Sequence, residues 1–138
     1  MAGGTLKPVD VAGGIIENGR GEILIAQRPP GKHLAGLWEF PGGKIEAGES
    51  AAEALRRELK EELELDVEVI SPLGLFPFTY QQGSIVLHVF RVSALNTPKA
   101  TDEVRVFRWV DPRTLDVGLL AGADVEPFYF YLRQLNPT

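Results

Sequence analysis

Hydrophobic and polar positions along this chain alternate, change period and alternate again, and each change marks an element. VDVAGGII (9–16) reads as a strand interrupted by small residues. ILIAQR (23–28) reads as the strand that returns from a tight turn at Asn18-Gly19. PPGKHLAGLWEFPGG (29–43) is rich in Pro and Gly and reads as one long ordered loop. Such loops inside a compact domain are usually functional. From Ser50 the period lengthens to that of a helix over 50–63, and Ser50 with Glu53 forms a capping-box signature. Alternation resumes at 67–80 and 84–92, around Gln81-Gln82-Gly83, and again at 103–110. The last periodic segment, 124–135, predicts a helix that begins at Asp124. The order β-β-loop-α-β-β-β-α predicts an α/β fold, a mixed sheet sandwiched between helices. The length of 138 residues predicts a single domain, 1–138.

The helix over 50–63 has three faces rather than two. On a helical wheel Ala52, Leu55, Leu59 and Leu63 share one apolar sector. Glu53, Arg56, Lys60 and Glu64 share a sector expected to face solvent. Glu58, Glu61 and Glu62 form a third, acidic stripe beside the apolar one. Charge pairing at helical spacing accounts for the solvent sector. It does not account for the stripe, because Glu58 is followed four residues on by another glutamate, Glu62. Spacing alone leaves two readings, a solvated face or a site for hard divalent cations, which take oxygen ligands.

Composition narrows the chemistry. The net charge of −5 offers no bulk attraction to a nucleic-acid backbone, so no direct nucleic-acid binding is expected. Phosphates would have to be held locally, by a few cations or by bound metal. The absence of cysteine excludes disulfides, thiolate nucleophiles and cysteine-ligated zinc or iron–sulfur centres. His33 and His88 are too few for a histidine-rich metal site, and His88 reads as a strand residue. No signal peptide is visible and no apolar run approaches the ~20 residues that span a bilayer. A cytoplasmic protein without a membrane partner is expected.

Residues 43–65 resemble the Nudix box: Gly, five residues, Glu, seven residues, Arg-Glu, apolar, any residue, Glu-Glu, any residue, Gly, apolar. Here it reads Gly43, Glu49, Arg57-Glu58, Leu59, Glu61-Glu62, then Glu64 and Leu65. Only the last glycine departs, replaced by Glu64. The resemblance implies a loop–helix–loop that holds Mg²⁺, or Mn²⁺ in its place, against a diphosphate. It assigns metal binding to Glu58, Glu61 and Glu62, with a carbonyl of the Gly42-Gly43 turn as a further ligand. It gives Arg57 and Glu49 an orienting role as a salt-bridged pair. Lys44 reads as a phosphate contact or as a solvated lysine. A further acidic ligand in relatives lies six residues before a tryptophan. Here that is Glu103 before Trp109, a metal ligand, a water-activating base or a plain loop-edge residue. Glu64 in place of glycine puts the helix end in question, not the ligands.

AGGII, ILIAQR, LWEFPGGKIEAGES and the Arg-Trp at 108–109 extend the resemblance to the MutT-like branch, the 8-oxo-dGTP diphosphatases and their pyrimidine-triphosphate relatives. That implies hydrolysis of a nucleoside triphosphate to a monophosphate and pyrophosphate, 8-oxo-dGTP first, by a monomer or homodimer. It implies that Arg28 contacts the nucleotide and that Phe40 packs near the base, although Phe40 and Trp38 also read as core aromatics. It offers Asp124 as reader of the base edge, with an ordinary helix N-cap as the alternative. Two rivals stand beside it. One is a Nudix enzyme for CTP, 5-methyl-dCTP, an NDP-sugar or ADP-ribose. The other is a non-catalytic Nudix-fold module for DNA lesions, a reading at odds with the intact carboxylates.

Overall fold

A computed structural model describes residues 7–136. Its elements are β1 (Val9–Glu17), β2 (Ile23–Gln27), β3 (Trp38–Glu39), β4 (Gly42–Lys44), α1 (Ala51–Leu63), β5 (Val67–Tyr80), β6 (Gly83–Ala94), β7 (Phe107–Val110), a 3₁₀ turn at Val117–Leu119, and α2 (Gly122–Leu135). The strands make one mixed sheet in the order β3-β2-β1-β6-β5, with β4 paired to β1 and β7 paired to β2. β1 runs parallel to β6 over its whole length and antiparallel to β4. The β5–β6 hairpin shifts register between Val69 and Ser71 and again between Pro72 and Gly74. Those irregularities accommodate Pro72, which has no N–H to give a ladder.

Successive residues of β1 point to opposite faces. Ile16 and Ala12 join Leu24, Val92 and the α1 residues Ala54, Leu55, Leu59 and Leu63 in one core. Ile15 joins Ile23, Ile25, Leu87, Val89 and the α2 residues Phe128 and Tyr131 in the other. The result is the expected α/β/α sandwich. One detail of the wheel is corrected. Ala54 is fully buried, whereas Ala52 is only half-buried. α1 lies against β4 as well as the sheet, so the side of the helix that carries the acidic stripe also packs.

Three expectations change with the sheet. Residues 29–43 are not all loop, because β3 and β4 lie within them. Runs this short have no period of their own, and partners distant in sequence decide them. Of 103–110 only Phe107–Val110 is strand, since a turn closes earlier, where Thr101 N donates to the Val104 carbonyl at 3.0 Å. α2 begins at Gly122, its cap is Ala121, and no side chain caps it. Asp124 is therefore not an N-cap.

Both ends of α1 are as sequence and chemistry require. Ser50 Oγ accepts from Glu53 N at 3.1 Å, and Glu53 Oε1 accepts from Ser50 N at 2.8 Å. The far end keeps the left-handed cap although glycine is missing: Glu64 has φ 50° and ψ 35°, and its N–H reaches the Lys60 carbonyl at 3.0 Å. A non-glycine residue in that conformation costs about 1 kcal/mol.

Candidate active site

Gly42 and Gly43, expected to form a turn, are the first residues of strand β4, and there α1 meets the sheet. A Cβ on Gly42 would strike the Ala12 carbonyl, and a Cβ on Gly43 would strike the Glu58 carboxyl group. Two bare backbones thus let the acidic stripe stand directly over β4. Arg57 then ties the stripe together. Its Nε and Nη2 grip Glu49 at 2.7 and 2.9 Å, and Nη2 also donates to the Lys44 carbonyl at 3.1 Å. Its Nη1 donates to Glu58 Oε1 at 3.0 Å and to Glu61 Oε2 at 3.3 Å. Glu49 further accepts from Glu46 N at 2.9 Å. The Arg57 hydrogen bond, then the Glu46 amide, hold the Glu49 carboxyl down at about 2. The same bond to Glu49 raises Arg57 further above its already high value.

Beyond Arg57, Glu39 is paired with Arg28, whereas Glu62 and Glu103 have no ion-pair partner among the described residues. Glu62, Glu103 and Glu39 line one cavity of about 230 Å³, together with Arg28, Lys32 and Gly42. Burial, and then the Glu58 carboxylate beside it, push the Glu62 carboxyl well above the ordinary carboxylate range. Glu103 is brought there by its loop. Thr101 Oγ1 donates to the Glu62 carbonyl at 2.5 Å and accepts from Glu103 N at 3.2 Å. Lys99 N reaches the Leu63 carbonyl at 2.7 Å. The loop is thereby stitched to the end of α1. Glu58 stands behind the cavity between Gly43 and Arg57, and Glu61 stands on the outer side, half-exposed.

A second cavity of about 330 Å³ shares Arg28, Glu39 and Gly42 with the first. Its walls include Phe40, Tyr80, Leu87, Ala123, Lys44 and His33. At its base is Asp124, only 6% exposed, whose Oδ2 accepts from Phe40 N at 3.2 Å. Burial, reinforced by the Glu39 charge, pushes this carboxyl up to about 8. Near neutral pH it is therefore largely protonated. It can then donate through one oxygen while accepting through the other. Trp38 is a core residue with the Arg108 guanidinium 4.8 Å above its ring, whereas Phe40 is both core and cavity wall. His88 pairs with Asp10 at 3.0 Å and lines neither cavity.

Four residues of these cavities escape a reading by motif. Glu39 sits opposite Ala26 in the β2–β3 ladder and pairs with Arg28 at 2.8 Å. Burial raises its carboxyl, opposed by Arg28. Tyr80 packs edge-on to His33 with ring centroids 5.6 Å apart. Burial, then Asp124, raise its phenol. Lys32 completes the set. Glu39 and Tyr80 have no local signature. For Lys32 and His33 the length of their loop was the available signal.

Among the described residues no three acidic or histidine side chains converge as they stand to hold an ion. Glu58 and Glu61 are instead paired with Arg57. The donor set nevertheless suits a hard cation. It consists of carboxylates, Glu62 and Glu58 crowd each other without a cation, and Gly43 leaves room beside Glu58.

A NUDIX domain model matches residues 7–133, and the chain belongs to the Nudix family of hydrolases. It is 38% identical over 124 residues to the CTP pyrophosphohydrolase of Escherichia coli (strain K12), across 87% of this chain and 88% of that protein. It is 35% identical over 133 residues to the 8-oxo-dGTP diphosphatase of Haemophilus influenzae, across 96% of this chain and 95% of that protein. The solution structure of the E. coli ORF135 protein superposes with a TM-score of 0.83 at 34% identity, covering 99% of this chain and 97% of the other.

Proposed function

We propose that this Nudix hydrolase cleaves a nucleoside triphosphate to a nucleoside monophosphate and pyrophosphate, with 8-oxo-dGTP as its preferred substrate. The observation that carries the reading is the junction of the two cavities. A carboxylate-lined pocket opens, through Arg28, Glu39 and Gly42, into an aromatic-walled one with a buried carboxyl at its base. Phosphates and base of one nucleotide are accommodated in that order. Asp124, protonated near neutral pH, offers a purine edge both a donor and an acceptor. Phe40 supplies an apolar wall beside it.

In this reading Glu58, Glu61, Glu62 and Glu103, with the Gly43 carbonyl, hold Mg²⁺ or Mn²⁺. When bound, the metal supplies Lewis acidity for phosphoanhydride hydrolysis. Arg57 and Glu49 fix the stripe so that its carboxylates need no reorganisation at the moment of reaction. Glu103, brought to the pocket by its own loop, takes the proton of the attacking water. Arg28 and Lys44 stand at the mouth of the base cavity, in reach of the nucleotide's phosphates. No covalent intermediate on the protein is required.

The second reading is a pyrimidine triphosphate, favoured by the similarity to the E. coli CTP pyrophosphohydrolase. The deciding measurement is kcat/KM with Mg²⁺ for 8-oxo-dGTP, dGTP, CTP and 5-methyl-dCTP, with products separated by chromatography. A dominant rate on 8-oxo-dGTP, releasing its monophosphate and pyrophosphate, supports the first reading. A dominant rate on either pyrimidine nucleotide replaces it with the second.

A further inference from the structure

The carboxylate cavity contains two cations of unequal freedom. Arg28 is committed: its Nε donates to the His33 carbonyl at 2.6 Å and its Nη1 to Glu39 at 2.8 Å. Those bonds lock the loop to β2, helped by Arg28 N donating to the Leu37 carbonyl at 2.8 Å and Gly36 N to the Arg28 carbonyl at 3.0 Å. Lys32 rides on this loop. Its backbone is held by a turn, with Ala35 N donating to the Lys32 carbonyl at 3.1 Å. Lys32 is exposed and is among the residues lining the cavity that holds Glu39, Glu62 and Glu103. Among the described residues no carboxylate comes within ion-pair distance of it. A lysine, with its strongly hydrated ammonium on a flexible stem, thus belongs to an acidic cavity without taking part in the ion pairs of the described residues.

The position along the substrate follows from which cavity each cation lines. Lys44 lines the base cavity and not the carboxylate cavity, whereas Lys32 lines the carboxylate cavity and not the base cavity. We propose that Lys32 binds the distal phosphates of the triphosphate, the pair that departs as pyrophosphate. The inference rests on the nucleoside triphosphate reading for its direction. Lys32 is a substrate-binding residue that leaves the bond-breaking atoms to others. It recognises the pyrophosphate portion irrespective of the base, and it favours triphosphates over monophosphates.

The test is calorimetric titration of the wild type, Lys32→Gln and Lys32→Arg with pyrophosphate, and separately with the nucleoside monophosphate product, all in Mg²⁺. Loss of one charge-assisted contact should weaken pyrophosphate binding about tenfold in Lys32→Gln. Monophosphate binding should change less than about twofold, and Lys32→Arg should restore most of the pyrophosphate affinity. In turnover, KM for the triphosphate should rise with the pyrophosphate Kd while kcat holds within about twofold. Unchanged pyrophosphate affinity in Lys32→Gln overturns the proposal, and so does an equal weakening of the monophosphate. A wild type that cleaves no nucleoside triphosphate sinks the proposed function, yet the pyrophosphate titration still decides whether Lys32 is a phosphate ligand.

Discussion

The two helices cover opposite faces of one sheet, and each brings carboxyl groups to the molecule's working edge in a different way. On α1 the acidic groups come from one contiguous stretch. They are crowded, partly exposed, and held by a guanidinium that touches Glu49, Glu58 and Glu61 at once. On α2 the acid at the cavity is Asp124, buried, with a single backbone amide as its side chain's hydrogen-bond partner. The first arrangement holds negative charge in place. The second suppresses it, because a lone carboxyl in a dry site prefers to keep its proton. The proposed function, with phosphate chemistry at α1 and a neutral base edge read from α2, calls for these two opposite treatments.

The largest expected effect tests the α1 side. Glu58→Gln keeps the shape and removes one charge of the stripe. Activity on the preferred triphosphate should fall at least about a thousandfold, with the thermal midpoint unchanged or raised. Full activity in that variant would remove Glu58 from the metal site.

Asp124→Asn tests the α2 side. The wild-type carboxyl is raised from 3.8 to about 8 in the fold, so the native state binds a proton that the unfolded chain gives up. Stability from that proton is complete below about pH 4 and is lost as pH rises toward 8. Between pH 5 and pH 8 the wild type should therefore lose about 3 kcal/mol relative to Asp124→Asn, which has nothing to titrate there. Parallel denaturant-derived stability curves for the two proteins would show that Asp124 does not titrate in this window.

Gly43→Ala asks whether the close approach of α1 and β4 matters. The added methyl meets the Glu58 carboxyl group, so α1 or Glu58 must move. A loss of about 2 kcal/mol is expected, together with a larger loss of turnover. The smallest effect concerns the end of α1. Glu64→Gly should stabilise the protein by about 1 kcal/mol without changing kcat, since it relieves the left-handed φ of 50°. A destabilised Glu64→Gly would mean that the extra freedom glycine gives the unfolded chain outweighs the relieved strain.

The α1 side was legible because its information is local. A capping box, a helical period and the Glu49, Arg57, Glu58 spacing all lie within one turn-and-helix segment. Helical geometry alone then brings the stripe to one side. The α2 side was only partly legible. Asp124 could be read as a cap or as a base reader, and the cap was excluded only when α2 proved to start at Gly122, leaving Asp124 inside the first turn. Tyr80 carried no signal, and the LWEFPGG run that contains Glu39 gave it no role; both reach the cavity only once β2, β3 and β5 are assembled.

By itself, the sequence determined the mixed α/β order, the amphipathic α1, its start at Ser50 and the carboxylate stripe with its arginine. Each of these depends on periodicities and caps that act within a few residues. The tertiary structure alone decided that β3 and β4 exist, that Glu103 is stitched to the end of α1, and that Asp124 is dry enough to hold its proton. It also decided that Lys32 joins the lining of the carboxylate cavity with no ion pair among the described residues, whereas Arg28 is committed to Glu39. Pairing register, burial and desolvation arise between segments far apart in the chain, and no local pattern encodes them.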